Sequence, residues 1–266
     1  MQDSVLEWWL AFLQTGLSPV EPSRLHPGAL MSLFDRITYL GMRLLAQALG
    51  AKHLEMKVTG LGHVPEYGPA VLVARHYHHL FDGVVLFLSI PRPIHILVTL
   101  DWTKSAYIRQ LMKLATTLAR WPVVLRSEAL ETYANPGPCQ RKSAFTAGDI
   151  NPHQRRALSD SVELLAEGRI LVVFPEGYPN IDPHYTPKKQ PEEFLPFKAG
   201  FAVIAAAAER RLGTKIPIIP TGFRYTKSHH WTARLNIGEA VYSEDFVSRR
   251  LIVKYLQERV AQLSGL

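Results

Sequence analysis

The stretch "AVLVARHYHHLFDGVVLFLSI", residues 70 to 90, joins two apolar runs through a polar bend. The first run, "AVLVA", has the length and the apolar, valine-containing character of a buried strand, and "DGVVLFLSI" is typical of a buried helix. Three histidines and an aspartate lie in or beside the bend between them. The stretch therefore predicts a strand that is followed at once by a helix, with polar side chains at their junction.

The same alternation of strands and helices continues along the chain. Further strands are predicted at "MKVTG", "PIHILVT", "WPVVLR", "RILVVF", "KIPIIPTGFRY" and "ARLNIGEAV". Helices are predicted at "KSAYIRQLMKLATTLA", from a cap at Asn151 to Gly168, at "AGFAVIAAAAERRLG", and from about residue 244 to 263. Residues 127–151 are rich in proline, glycine, asparagine and serine and are expected to form a long connection. The pattern predicts an α/β fold: a mixed, mostly parallel sheet with helices on both faces.

The chain is expected to begin with an apolar helical segment, residues 1–50, followed by the main domain, residues 51–266. Two parts of this segment, residues 4–13 and 30–49, are unusually apolar for surface helices. They lie in a membrane interface or pack on the core, and the sequence leaves both possibilities open. The sequence contains no run of 18 apolar residues, so no membrane span is predicted. Its first residues lack the basic-then-apolar order of a signal peptide.

The charge balance favours an anionic partner. Lysine and arginine number 30 against 23 acidic residues, which gives a net charge of +7. Phosphate groups and an acidic lipid surface fit this charge, whereas no dense basic stripe or known motif predicts nucleic-acid binding. Cys139 is the only cysteine, so neither an intramolecular disulfide nor a cysteine-based metal cluster is possible, and a reducing compartment is expected.

The histidine-rich bend suits proton transfer better than metal binding. His76 and His78 match the start of the dinuclear-zinc pattern H-x-H-x-D-H, but Leu80 and Phe81 stand where its aspartate and last histidine are required. A histidine at the carboxyl end of a strand, with Asp82 about one turn away, can instead act as a general base whose tautomer is set by the carboxylate. We therefore expect no metal, and a base that activates a substrate hydroxyl.

Three further short blocks follow the histidine bend along the chain. "PVVLR" ends in Arg126, "VVFPEG" ends in Glu176 and Gly177, and "IPIIPTGF" is expected to end a strand at Pro220. "LPFKAGF", which contains Lys198, lies between the last two of them. From about Val58 to Gly238 this ordered set resembles the four blocks of the lysophospholipid acyltransferase family, in which a segment like "LPFKAGF" usually follows the third block.

The resemblance implies a role for each of these residues. The histidine of the first block would be the base and Asp82 its orienter, with His76 favoured because it directly follows the strand and His78 as the alternative. The family has four residues between this histidine and the aspartate, whereas His76 has five and His78 has three. Arg126 would bind the acceptor phosphate or position the acceptor. The remaining expected substrate-binding residues are Glu176, Gly177 and Lys198 on the acceptor side and Pro220 on the donor side.

The resemblance further implies transfer of a fatty acyl group from acyl-CoA or acyl carrier protein to a lysophospholipid hydroxyl, with 1-acylglycerol-3-phosphate as the leading acceptor. No cofactor is expected, and the protein is expected on the cytoplasmic side of a membrane, bound peripherally to an anionic surface. Tyr178 and Pro179 replace the small hydroxyl residue and arginine that usually follow the third block. A non-phosphorylated acceptor, or a non-catalytic lipid-binding protein on the same fold, are the alternatives.

Overall fold

The computed structural model describes residues 33–50, 54–134, 143–183 and 185–266. Within these ranges the helices are α1 (Leu33–Gly50), α2 (Phe81–Ser89), α3 (Ala106–Leu118), α4 (Ser127–Ala134), α5 (Ile150–Ala166), α6 (Gly200–Leu212) and α7 (Arg249–Leu263). The strands are β1 (Leu54–Thr59), β2 (Ala70–Ala74), β3 (Ile94–Ile96), β4 (Val98–Thr99), β5 (Val123–Val124), β6 (Ile170–Val173), β7 (Ile218–Lys227) and β8 (Trp231–Ile237).

Six of these strands form one sheet in the order β1-β8-β7-β2-β6-β3. Strand β2 is central and runs parallel to both of its neighbours, β6 and β7. Strand β1 is parallel to β8 and β3 is parallel to β6, whereas β7 and β8 form an antiparallel hairpin. The predicted fold class, a mixed and mostly parallel sheet, is confirmed.

Strand β2 shows why helices cover both faces of the sheet. Its five residues are all fully buried, as expected for a central parallel strand. Because side chains alternate along a strand, Leu72 packs into one apolar cluster with α2 and part of α1. Val71 and Val73 point into a second cluster, built with α5, α6 and α7. The bend that follows β2 is thereby held on a rigid strand.

The connection predicted over residues 127–151 is partly wrong, because α4 occupies its first eight residues. Ala129 and Leu130 are buried in apolar clusters, which gives this segment a packed face that its composition did not reveal. Helix α5 starts at Ile150, one residue before the predicted cap at Asn151. The last helix starts at Arg249, later than predicted, because the Ser248 side chain caps it by accepting from the Leu251 N–H.

The predicted amino-terminal segment is described only from residue 33 onward. Helix α1 packs through Tyr39, Met42 and Leu49 against the cluster that contains α2. Its Ile37, Leu44 and Leu45 are exposed. No helix of the described part is long and apolar enough to cross a membrane. Residues 4–13 and Cys139 lie outside the described residues, and the division of the chain at residue 50 stays a prediction.

Candidate active site

A His–Asp pair lies at the carboxyl end of the central strand. His76 follows β2 after one intervening residue, and its Nδ1 lies 2.9 Å from Oδ2 of Asp82, in the first turn of α2. The Asp82 side chain is only 1% exposed, whereas that of His76 is 19% exposed. The imidazole stacks on Phe174, with a distance of 4.3 Å between ring centroids. The Nδ1 atom of His76 is therefore hydrogen-bonded to a buried carboxylate, while the ring remains partly exposed to solvent.

The Asp82 carboxylate has a complete set of donors. Oδ2 also accepts the backbone N–H groups of Tyr77 at 2.7 Å and His78 at 3.1 Å. Oδ1 accepts the hydroxyl of Tyr225 on β7 at 2.8 Å. Burial first, and then the Asp82 charge, raise the pKa of Tyr225 well above its usual value, so this hydroxyl keeps its proton. Sequence reasoning missed Tyr225, because nothing in its local sequence points to Asp82.

His78, the alternative base, is engaged in a different way. Its Nδ1 accepts the backbone N–H groups of Leu80 at 3.2 Å and Phe81 at 3.3 Å, and so caps the start of α2. Burial lowers the pKa of His78 to about 4. The structure thus brings the side chain of His76, and only the backbone of His78, to Asp82.

Glu176 and Lys188 hold the backbone of His76 from both sides. Glu176 Oε1 accepts the His76 N–H at 3.0 Å, and Lys188 Nζ donates to the His76 carbonyl at 3.0 Å. The two side chains are buried and form an ion pair at 2.6 Å. Burial lowers the pKa of Lys188, while the Glu176 charge acts in the opposite direction. Glu176 was predicted to shape the acceptor site, but its observed partners are the backbone N–H groups of His76 and Leu195 and the Lys188 ammonium. Lys188 was not predicted, because it lies in an unremarkable Lys/Pro-rich loop.

Arg126 is bound to a carboxylate that the sequence did not single out. Its Nε and one terminal nitrogen donate to the two carboxylate oxygens of Asp101 at 2.8 and 2.6 Å. The other terminal nitrogen donates to the Gly177 carbonyl, and the guanidinium carbon lies 3.9 Å from the centre of the Tyr178 ring. Arg126 was predicted to bind an acceptor phosphate, but in this structure its guanidinium faces protein partners and is almost fully buried.

Gly177 and Lys198 lie next to Arg126. Gly177 has φ = 76°, a backbone conformation that favours glycine. A Cβ atom there would come within 3.7 Å of Lys198 Nζ and of Arg126 Cδ. The Lys198 ammonium is half exposed and pairs with Glu128 in the first turn of α4. Of the cations predicted to meet the acceptor, Lys198 is the one at the surface.

Pro220 does not end its strand as predicted. It is the third residue of β7, lies opposite Val73 of β2, and is buried. Its carbonyl accepts the Gly238 N–H at 2.8 Å, and the strand continues to Lys227 because the hairpin with β8 supplies partners for its second half. Pro220 therefore helps to build the sheet beneath the bend. No cluster of three histidine, cysteine, aspartate or glutamate side chains that could hold a metal ion occurs among the residues that the structure describes.

Comparisons with known proteins place the chain in a family and identify a related fold. The model of the Acyltransferase family matches residues 55–224. Uncharacterized proteins of Mycobacterium tuberculosis and Mycobacterium bovis are 28% identical over 169 residues, which are 62% of this chain and 36% of each relative. The match thus spans about a third of the length of these relatives. The crystal structure of the 1-acyl-sn-glycerophosphate (LPA) acyltransferase PlsC from Thermotoga maritima has the same fold, with a TM-score of 0.55 and 16% identity over 87% of this chain and 80% of that one.

Proposed function

This chain belongs to the acyltransferase family, and we propose that it transfers a fatty acyl group from an acyl thioester to a hydroxyl group of a lipid acceptor. The observation that carries the proposal is the hydrogen bond between Nδ1 of the partly exposed His76 and the carboxylate of the buried Asp82, at the carboxyl end of β2. Ligands of open α/β sheets bind at this edge. Within the described part of the chain, the hydrogen bond of the His76 ring goes to Asp82 and not to a serine, threonine or cysteine, which suits direct attack by the acceptor on the thioester.

His76 is the proposed general base. With Nδ1–H donated to Asp82, Nε2 is left to take the proton of the acceptor hydroxyl. The oxygen attacks the thioester carbonyl, a tetrahedral intermediate forms, and its collapse breaks the carbon–sulfur bond. The imidazolium then returns its proton to the leaving thiolate. Asp82 stabilises the imidazolium, and the Glu176–Lys188 pair keeps the His76 backbone in place.

A lysophospholipid, with 1-acylglycerol-3-phosphate as the leading example, is the proposed acceptor, and acyl-CoA or acyl carrier protein is the proposed donor. One solved structural relative is an acyltransferase for that lipid. Lys198 supports a phosphate-bearing acceptor, because its ammonium is exposed beside Gly177. The net charge of +7 supports work at an anionic membrane surface.

A non-phosphorylated lipid acceptor is the second candidate. The observation that favours it is the two-pronged pairing of Arg126 with Asp101, which occupies the predicted phosphate ligand with a protein carboxylate. Tyr178 adds a ring against the same guanidinium, in a position where the family usually carries a small hydroxyl residue.

Release of free thiol from a long-chain acyl-CoA tests both candidates. The assay is run with lysophosphatidic acid, with monoacylglycerol and without acceptor, and His76→Ala is the control for the chemistry. Thiol release that depends on lysophosphatidic acid and is lost in His76→Ala supports the first candidate. Preference for monoacylglycerol selects the second. A folded wild-type protein that releases no thiol with either acceptor, from acyl-CoA or acyl carrier protein, would leave a non-catalytic lipid-binding role.

A further inference from the structure

Helix α3 carries its apolar residues on the outside. Tyr107 is 78% exposed, Leu111 52% and Leu114 57%, and Ile108 and Leu118 are also exposed. Their spacing of three or four residues places them on one face of the helix. Five large apolar side chains thus form a continuous outer stripe, which we call the α3 face.

The inner side of α3 is unusually polar for a helix that packs on a domain. Arg109 donates to the Ala144 carbonyl at 2.6 Å, and its guanidinium lies 5.6 Å from the centre of the Phe145 ring. Lys113 lies over the same ring, and Thr116 is buried. A surface helix normally turns its apolar stripe to the core and its charges to water. In α3 Met112 packs on a core cluster, but the larger apolar stripe faces outward, which indicates that the outer face meets an apolar partner.

The charges around the α3 face indicate which apolar partner. Residues 102–118 contain Lys104, Arg109 and Lys113 and no acidic residue. Lys104 precedes the helix, and Arg109 and Lys113, which lie over Phe145 on the inner side, keep part of their surface in solvent. The charge that this segment presents to solvent is therefore entirely positive. Cations beside an apolar stripe, with an aromatic residue at the helix start, match a helix that lies in the headgroup region of an anionic bilayer. A protein partner would not require this one-sided charge.

The chain path connects the α3 face to the candidate site. In the chain, helix α3 lies between Asp101 and Arg126. These two residues form an ion pair, and the Arg126 guanidinium also donates to the Gly177 carbonyl. A surface that holds α3 against lipid would therefore hold the acceptor side of the site close to the membrane.

We propose that the α3 face inserts into the headgroup region of an anionic lipid leaflet and docks the protein where its lipid acceptor resides. The choice of a lipid leaflet rests on the proposed function, but docking itself is measured without turnover. It also differs from the anchoring expected of residues 1–50, because it assigns membrane contact to a surface within the main domain.

Vesicle co-sedimentation of the full chain tests the proposal. The vesicles are phosphatidylcholine alone or phosphatidylcholine with phosphatidylglycerol. We expect Leu111→Gln/Leu114→Gln to weaken partition to the anionic vesicles about tenfold or more, because two leucines no longer leave water. The matched control is Val247→Gln/Leu251→Gln, which alters two exposed apolar residues near the start of α7. This control should partition within about twofold of the unaltered protein.

Two further measurements keep the outcome decisive. Tyr107→Ser changes one highly exposed residue and should weaken partition without lowering the thermal unfolding midpoint. His76→Ala in the same assay should bind vesicles normally, which separates loss of docking from failure of the proposed chemistry. Equal partition of folded α3-face variants and the control would overturn the proposal. So would a change in native mass of these variants with unchanged vesicle binding, since the face would then be a protein–protein contact.

Discussion

Asp82→Asn is the most informative single change at the candidate site, because the surrounding donors decide how the new amide sits. Oδ2 accepts from His76 and from two backbone N–H groups, those of Tyr77 and His78. Backbone N–H groups cannot become acceptors, so the amide oxygen must take this position. The new NH₂ group then faces Tyr225, whose hydroxyl can turn from donor to acceptor. Each group keeps at least one partner, although the Tyr225 proton and the second amide N–H lack an acceptor, and we expect the fold to be retained.

At His76 the loss is therefore confined to one negative charge. His76 still donates its Nδ1–H to an oxygen and keeps the tautomer in which Nε2 is the base. A hydrogen bond to a charged group contributes about 1.5–3 kcal/mol and a neutral one about 0.5–1.5 kcal/mol. The difference of about 1–2 kcal/mol at the imidazolium stage corresponds to a fall of about five- to thirtyfold in kcat/KM. Removal of the base itself, in His76→Ala, should cost about a hundredfold to ten-thousandfold.

Thiol release at several acceptor concentrations gives kcat/KM, and thermal unfolding reports the fold. Asp82→Ala is the contrasting variant, since it removes the acceptor of all four donors and should lower both activity and the unfolding midpoint. The reasoning is refuted if folded Asp82→Asn is as inactive as His76→Ala, because the amide would then not preserve the base. It is equally refuted if Asp82→Asn retains full activity, because the carboxylate charge would then have no role.

The remaining predictions concern the Glu176–Lys188 ion pair, the buried His78 and His95, and the surface cation Lys198. Lys188→Met leaves the buried charge of Glu176 without its partner and should lower the free energy of unfolding by about 3–5 kcal/mol, measured by urea denaturation; an unchanged urea midpoint would contradict this pairing. Burial lowers the pKa of His78 and of His95 to about 4, below the unfolded value of 6.5, so the unfolded chain binds more protons and stability should fall from pH 6.5 towards pH 4. Urea midpoints at pH 7 and pH 4.5 check the sign, and a higher midpoint at pH 4.5 would reverse it. Lys198→Met should raise KM for lysophosphatidic acid about tenfold and leave KM for monoacylglycerol unchanged; equal effects on both acceptors would show that Lys198 does not read the phosphate.

The sequence by itself determined the fold class and the bend in which the candidate base lies. A short apolar run such as residues 70–74 predicts a buried strand, and its alternation with helical patterns predicts a sheet covered on both faces. These signals are local, because burial and side-chain periodicity are written into neighbouring residues. The same locality limited the reading of residues 127–134, whose buried face only became evident once its partners were in place.

Only the tertiary structure decided which groups surround that base. Two histidines lie near Asp82 in sequence, and the choice between them depends on the bend, where His78 Nδ1 caps α2 and His76 Nδ1 meets the carboxylate. The other partners are remote: Tyr225 lies 143 residues from Asp82, and Lys188 lies 112 residues from His76. Strand order brings β7 beside β2, and a loop folds back beneath the bend. Such contacts leave no local pattern, because their energy arises from desolvating and pairing polar groups that the finished fold brings together.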